Sequence, residues 1–462
     1  MQNKSSLVTQ EKLNMVDSLP RVVSVVGLGY VGLQLATAFA NARPTVGFDK
    51  SPRRIKELRQ AHDHNGEISA EALRSTDLKF SYDPSDLTKS ELIIVAVPTP
   101  LDDSKKPDLS FLIDASATVG RALKAGDIER RREGMENRTP IIVYESTVYP
   151  GCTEEVCIPV LERESGLKAG KNFKVGYSPE RINPGDTEHT LDKVIKIVSA
   201  QDPETLEIVA QVYGWVAKSG VHKAPNIATA EAAKLVENIQ RDMNIAVMNE
   251  LAMAFHQMGL KPREIFESAG TKWNFLPFSP GLVGGDCIPV NPIYFTHKAE
   301  QAGYRPELIP AGRRVNDKMG AYVAEQTIRL LTDSGRTVKG SRVLVLGLSF
   351  KENVADARNS QAVSLVHTLQ SAGADVEVHD PLAEPSHLEF SGLTLIPDPF
   401  ESSGPIYDAV VLAVPHAVFR DRGLGSCLNL IRATGGLKIL LDVRGVWNRE
   451  ADHQSGLMYW CL

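Results

Sequence analysis

The sequence predicts an α/β protein built from two doubly wound parallel sheets, joined by one long central helix and a helical middle domain. Three observations carry that expectation. Short apolar, β-branched runs alternate with helical stretches in both halves, the pattern of strands buried on both faces of a parallel sheet. A stretch free of glycine and proline, residues 227–258, interrupts the alternation. The run Ala409-Val410-Val411-Leu412-Ala413-Val414-Pro415 then echoes Ile93-Ile94-Val95-Ala96-Val97-Pro98, which suggests two related domains.

Taken in order, residues 21–27 (Arg-Val-Val-Ser-Val-Val-Gly) read as a buried strand stopped by glycine. Residues 30–41 read as a helix and 45–49 as the next strand, and the runs at 92–97, 141–144 and 173–177 repeat the strand pattern. In the middle stretch Leu235, Ile239, Met243, Ala246, Glu250 and Leu251 fall at helical spacing, so residues 227–258 form one long helix whose stripe serves a core or a dimer contact. Residues 342–347 restart the alternation, and 376–380 form a strand ending in Asp380. The expected division is a disordered tail at 1–20, a first Rossmann-like domain at 21–222, a helical dimerisation domain at 223–335 and a second Rossmann-like domain at 336–462.

Composition excludes several classes. At 462 residues, with 42% hydrophobic and 23% charged residues, the chain is a soluble globular protein of more than one domain. A net charge of −6 argues against nucleic-acid or membrane-surface binding, and Arg130, Arg131 and Arg132 read as a solvated helix face. Apolar runs are too short to span a membrane, and the polar tail lacks a signal-peptide core. The five cysteines form no CxxC pair, which fits a reducing cytoplasm and suggests no metal site.

Gly27, Gly29 and Gly32 follow a strand and open a helix, as a dinucleotide turn requires. The first glycine makes the turn, the second admits a pyrophosphate, and the third lets helix and strand approach. Asp49, twenty residues past Gly29, would accept from ribose hydroxyls and repel a 2′-phosphate, favouring NAD over NADP. Lys50, Arg53 and Arg54 soften that repulsion. The later turn Gly347-Leu348-Ser349-Phe350-Lys351 lacks the full pattern and makes a poorer dinucleotide site. Cys287, after Gly284-Gly285-Asp286, is either a nucleophile on a loop that glycines leave open to approach or a small buried hydrophobe. Lys234 and Asn238, four apart on one helix face, are either a solvated pair or an oxyanion site.

After residue 20 the chain resembles the nucleotide-sugar 6-dehydrogenase family over essentially its whole length. The resemblance lies in Gly27 to Gly32, Val97-Pro98-Thr99-Pro100, Glu145-Ser146-Thr147-Val148, Ser178-Pro179-Glu180-Arg181, Lys234-Leu235-Val236-Glu237-Asn238, Gly284 to Cys287, and Phe350-Lys351-Glu352-Asn353 with Asp356 and Arg358. Tyr144 to Gly151, Glu180 to Asp186 and Thr271 to Val283 look most like the branch acting on UDP-N-acetylglucosamine or UDP-N-acetylgalactosamine. The resemblance implies Cys287 as nucleophile, Lys234 and Asn238 at the oxyanion, and Glu180 and Thr147 at the catalytic water. It implies cofactor contacts from Tyr30, Val31, Asp49, Arg54, Thr99, Thr147 and Arg358, and contacts to the UDP-sugar from Arg181, Lys234, Asn238, Arg241, Gly281 and Lys351. A cytoplasmic homodimer using NAD is implied too.

Two positions depart from the family's pattern: Asp286 stands where the family has His, and Asn291 where it has an Asp assigned to proton transfer. Asn is no base at neutral pH, and an ionised Asp286 would raise the pKa of the neighbouring thiol. The expected reaction is a four-electron oxidation of the C6 alcohol to a uronic acid for surface polysaccharide, through a thiohemiacetal and a thioester on Cys287. UDP-glucose is the alternative substrate. A two-electron dehydrogenase with a structural Cys287 and a binding protein whose catalysis lapsed at Asn291 are the rival readings.

Overall fold

A computed structural model describes residues 19–462 except 136–137, 183–185, 187, 384–392, 394, 402–403, 405 and 452. Residues 1–18 of the expected tail and Asn183-Pro184-Gly185 therefore lie outside the described residues. The chain divides into two units, Met1–Glu237 with Ile293–Gly303, and Asn238–Pro292 with Tyr304–Leu462.

The first unit is built on an eight-stranded sheet of order β3-β2-β1-β4-β5-β6-β7-β8. Its strands are β1 (Val23–Val26), β2 (Thr45–Phe48), β3 (Lys79–Ser81), β4 (Leu92–Val95), β5 (Ile141–Tyr144), β6 (Lys174–Tyr177), β7 (Lys196–Ala200) and β8 (Val221–Lys223). Pairing is parallel from β3 across to β6 and antiparallel between β6 and β7. Every residue of β1, β2, β4 and β5 is buried, as continuous apolar runs require. The chain winds outward from β1 to β3, then returns to β4 on the other side of β1. That reversal makes a switch point at the carboxyl ends of β1 and β4, where ligands of open α/β sheets bind. Helix α1 (Tyr30–Ala40) starts at this point, and no side chain caps its N-terminus at Gly29.

The second unit carries a five-stranded, wholly parallel sheet of order β10-β9-β11-β12-β13. Its strands are β9 (Arg342–Leu346), β10 (Asp375–His379), β11 (Ala409–Leu412), β12 (Lys438–Asp442) and β13 (Leu457–Trp460). Here the switch point lies between β9 and β11. Helix α2 (Ile227–Gln257) runs for 31 residues, one residue short of the expected span. Leu235 and Ala246 of its stripe enter the core, whereas Leu251 stays 38% exposed. Helix α3 (Asn291–Gln301) begins four residues after Cys287. Among the described residues no helix is long and apolar enough to cross a membrane, and no group of His, Cys, Asp and Glu could hold a metal ion.

Candidate active site

The three glycines after β1 do what their spacing requires. Gly27 has φ +93°, and a Cβ there would meet the Ala96 carbonyl oxygen at 2.8 Å. A Cβ on Gly32 would lie 1.8 Å from the Gly27 oxygen, so only glycine lets α1 sit this close to the turn. Nothing lies within 4 Å of a Cβ built on Gly29, which leaves the open face a pyrophosphate needs beside the uncapped helix. At the end of β2, Asp49 accepts from Leu28 N through Oδ2 (3.0 Å) and from Ser51 N through Oδ1 (2.9 Å). It keeps lone pairs for ribose hydroxyls.

The cations set against Asp49 by sequence are engaged elsewhere. Lys50 pairs with Asp114 (2.8 Å) and Arg53 with Glu57 (2.9 Å). Arg54 is buried, pairs with Asp63 (2.7 Å) and donates through Nε to Leu28 O (2.9 Å), so its guanidinium shapes the turn from beneath. Asp49 thus keeps its own charge toward a ligand, and the fit is to NAD. Tyr30 and Val31 open α1, and the Thr99 hydroxyl donates to Thr147 O (2.7 Å), tying the loops after β4 and β5 together.

Beside β5 and β6, Glu180 is 8% exposed and its Oε1 accepts from Arg181 N (2.5 Å) and Ile182 N (2.6 Å). Sequence reasoning missed its neighbour Lys196, a fully buried ammonium 3.8 Å from Glu180 that donates to Glu145 Oε2 (2.7 Å) and Pro179 O (2.9 Å). Its signal was a lysine opening the short strand Lys196–Ala200, every residue of which is buried. Burial pushes Glu145 up to about 7 even with this lysine beside it. Burial also works against the ammonium, but Glu145 and Glu180 outweigh it and raise Lys196. Arg181 pairs with Glu237 (2.8 Å) and donates to Ile195 O (2.7 Å).

Lys234 and Asn238 sit one turn apart on α2 and are 7% and 4% exposed. No hydrogen bond or ion pair reaches the Lys234 ammonium among the described residues. A buried cation in that state is ready to stabilise a developing oxyanion.

In the second unit, Cys287 is exposed and is in no disulfide. The glycines before it have a packing role that the sequence did not display. A Cβ on Gly284 would meet Asn359 O at 2.7 Å, and one on Gly285 (φ +83°) would meet the Phe350 ring at 2.8 Å. They let the loop lie against the 350–359 segment. Asp286 pairs with Arg358 (3.0 Å) and accepts from Asn359 Nδ2 (2.8 Å), so a guanidinium partly offsets its charge. Arg358 also pairs with Asp356 (2.6 Å).

Asn291 is 2% exposed. Its Nδ2 donates to Cys287 O (2.6 Å), while its Oδ1 accepts from Asn238 Nδ2 (3.1 Å). Arg241 Nη1 donates to Asn238 Oδ1 (3.3 Å). Gly281 is gripped on both sides by Asn249, which accepts from its N (2.8 Å) and donates to its O (3.1 Å). Lys351 is exposed on the loop after β9, at the second switch point.

Comparison with known proteins agrees with this geometry. Three family domains match in order: the UDP-glucose/GDP-mannose dehydrogenase family NAD binding domain at residues 21–216, its central domain at 228–318 and its UDP binding domain at 344–449. Protein CapL of Staphylococcus aureus is 47% identical over 433 residues, 93% of this chain and 97% of that protein. The UDP-N-acetyl-D-glucosamine 6-dehydrogenase of Pseudomonas aeruginosa is 47% identical over 426 residues, 91% of this chain and 97% of its own length. The solved UDP-N-acetyl-D-mannosamine dehydrogenase of Pyrococcus horikoshii superposes with a TM-score of 0.81 at 30% identity, covering 95% of this chain and 98% of the other. The chain belongs to the UDP-glucose/GDP-mannose dehydrogenase family and is an NAD-dependent nucleotide-sugar dehydrogenase.

Proposed function

We propose that this enzyme oxidises C6 of a UDP-N-acetylhexosamine, UDP-N-acetylglucosamine or UDP-N-acetylgalactosamine, to the uronic acid, a precursor of surface polysaccharide. One observation carries the substrate class: relatives named UDP-N-acetyl-D-glucosamine 6-dehydrogenase are 47% and 46% identical over 91% and 87% of the chain.

Two NAD molecules, bound in turn at the Gly27–Gly32 turn, would each accept one hydride. The C6 alcohol gives its proton, through a water held by Glu180 and Thr147, to the Glu180 carboxylate, and Lys234 with Asn238 stabilises the oxygen as it becomes anionic. The Cys287 sulfur adds to the resulting aldehyde as a thiohemiacetal, which keeps the intermediate from leaving. A second hydride loss gives the thioester, and water cleaves it to the carboxylate and the free thiol. Arg181, Arg241, Gly281 and Lys351 hold the nucleotide sugar, while Tyr30, Val31, Asp49, Arg54, Thr99, Thr147 and Arg358 contact the cofactor. The enzyme acts as a cytoplasmic homodimer. In support, Val236, Val247 and Leu251 are 57%, 53% and 38% exposed along one face of α2.

The test is NADH production with UDP-glucose and the UDP-N-acetyl derivatives of glucosamine, galactosamine and mannosamine. Two NADH per N-acetylglucosamine or N-acetylgalactosamine derivative supports the reading, and a clear preference for UDP-glucose replaces the substrate. Cys287→Ser should lose uronate while keeping NAD affinity. Turnover of that variant near the wild-type rate would show that the thiol is structural.

A further inference from the structure

We propose that Asn291 positions the nucleophile as a hydrogen-bond donor, so that its amide, where relatives of the family pattern carry a carboxylate, is a requirement of this loop rather than a lapse of catalysis. The inference rests on Cys287 being the nucleophile.

The argument is one of donors and acceptors. Cys287 O accepts twice from residue 291, from the backbone N (3.1 Å) and from the side-chain Nδ2 (2.6 Å). A carbonyl oxygen can only accept, so the atom facing it must be the amide nitrogen and not the oxygen. The far end of the chain is fixed in the same sense. Arg241 can only donate, so it fixes Asn238 with Oδ1 toward the guanidinium (3.3 Å) and Nδ2 toward Asn291 Oδ1 (3.1 Å). Both amides are buried, at 4% and 2% exposure, where an unpaired polar atom is costly. The polarity therefore runs one way, from Arg241 through Asn238 and Asn291 to the carbonyl of Cys287.

An ionised carboxylate at 291 has no proton to donate. It would set a negative oxygen against the Cys287 carbonyl and push the loop away from the start of α3. The other flank is held independently, because Asp286 is tied to Arg358 and Asn359. Asn291 thus fixes one side of a loop whose opposite side is already anchored, and the thiol rides between them. No proton is exchanged at Asn291.

The deciding experiment compares pH–rate profiles of the wild-type enzyme and Asn291→Asp between pH 5 and 9, with NAD and the best sugar nucleotide. A carboxyl group buried against a carbonyl oxygen titrates above the usual carboxylate range, and its protonated form can still donate. Asn291→Asp should therefore lose kcat as pH rises, by about tenfold or more at the alkaline end, with KM for NAD unchanged. The wild type should lack that descending limb. A general base at 291 gives the opposite sign, a variant faster than wild type with activity rising as the carboxyl ionises, and would overturn the inference. Asn291→Ala, which cannot donate at any pH, should lose kcat without the pH limb and change the rate at which iodoacetamide alkylates Cys287. Unchanged kcat and unchanged alkylation in Asn291→Ala would also overturn it, and this arm decides should Asn291→Asp fail to fold. Near-normal turnover in Cys287→Ser would remove the covalent reading and this inference with it, whereas an inactive Cys287→Ser beside an Asn291→Asp faster than wild type would remove this inference alone.

Discussion

The two sheets begin with the same turn and put it to opposite uses. After β1 and after β9, a glycine with positive φ (Gly27 at +93°, Gly347 at +88°) lies beneath an acidic residue at the end of the neighbouring strand. Asp49 accepts from Leu28 N, and Asp380 accepts from Leu348 N (2.7 Å) at the matching point. There the likeness stops. Asp380 is 4% exposed and also accepts from Ser349 N and Oγ, from Leu382 N and Ala383 N, and from His416 Nε2. His416 accepts from Asn353 N through Nδ1 (2.9 Å), which assigns its proton to Nε2 and makes Asp380 the acceptor. Asp49 has two protein donors and an open front. Two donors leave the Asp49 carboxylate able to accept from a ligand, whereas six make Asp380 a structural bolt. The difference lies in how many donors the protein sets on the acid, not in the fold.

The largest test of that contrast is removal of the bolt. Asp380→Ala strips the acceptor from four backbone N–H groups and from His416, and should destabilise the second sheet by about 3–5 kcal/mol in urea unfolding. Asp49→Ala should cost far less. Comparable losses at the two positions would erase the distinction. The bolt also carries a pH signature. Burial raises the Asp380 carboxyl, but His416 and the backbone N–H groups outweigh it and hold the group well below the usual carboxylate range. A depressed pKa supplies stability above the unfolded value of about 3.9 that is lost as pH falls toward the folded one. Unfolding midpoints should thus drop below about pH 4 in the wild type, and drop less in Asp380→Asn.

A smaller effect belongs to the open acid. Asp49 meets a 2′-phosphate as like charge, and among the described residues Lys50, Arg53 and Arg54 are paired with Asp114, Glu57 and Asp63 instead. Asp49→Asn should lower the preference for NAD over NADP by about tenfold, within the 1–3 kcal/mol such a charge contact supplies. The ratio of kcat/KM for the two cofactors measures it. An unchanged ratio would mean that the carboxylate does not face the ribose.

How much of this was legible follows from the range of each interaction. Strands β1, β2, β4, β5, β6, β9, β10 and β11, the long helix and the first turn depend on neighbours in sequence, and periodicity with glycine spacing displayed them, whereas β3, β7, β8, β12 and β13 went unread. The roles of Gly284, Gly285 and Asp286 were not legible, because their partners Phe350, Arg358 and Asn359 lie more than 60 residues away. Lys196 was not singled out from sequence, because its partners Glu145 and Glu180 come from other segments of the chain. Asn291 read as a missing base because sequence gives a residue's chemistry but not which atom faces it. Under the inference drawn above, the orientation of one amide changes the meaning of that substitution.

The finest test separates the two uses of glycine within the first turn. Gly32 has no room for a methyl group, since its Cβ would overlap the Gly27 oxygen at 1.8 Å, so Gly32→Ala should disturb fold and cofactor binding together. Gly29 is the reverse case. Its Cβ meets no protein atom within 4 Å, and no positive φ forces glycine there. The protein alone therefore has no reason to require glycine at 29. Gly29→Ala should leave the unfolding free energy within about 0.5 kcal/mol of wild type, as for a surface change that touches nothing. A pyrophosphate that must approach the helix start would meet the new methyl group, and the Kd for NAD should rise about tenfold, or 1.4 kcal/mol. Calorimetric titration with NAD and a melt of the same sample read both quantities. Weakened binding at unchanged stability would place the open face of the turn at the phosphates. A melt shifted as far as the binding would mean that Gly29 serves the chain rather than the ligand.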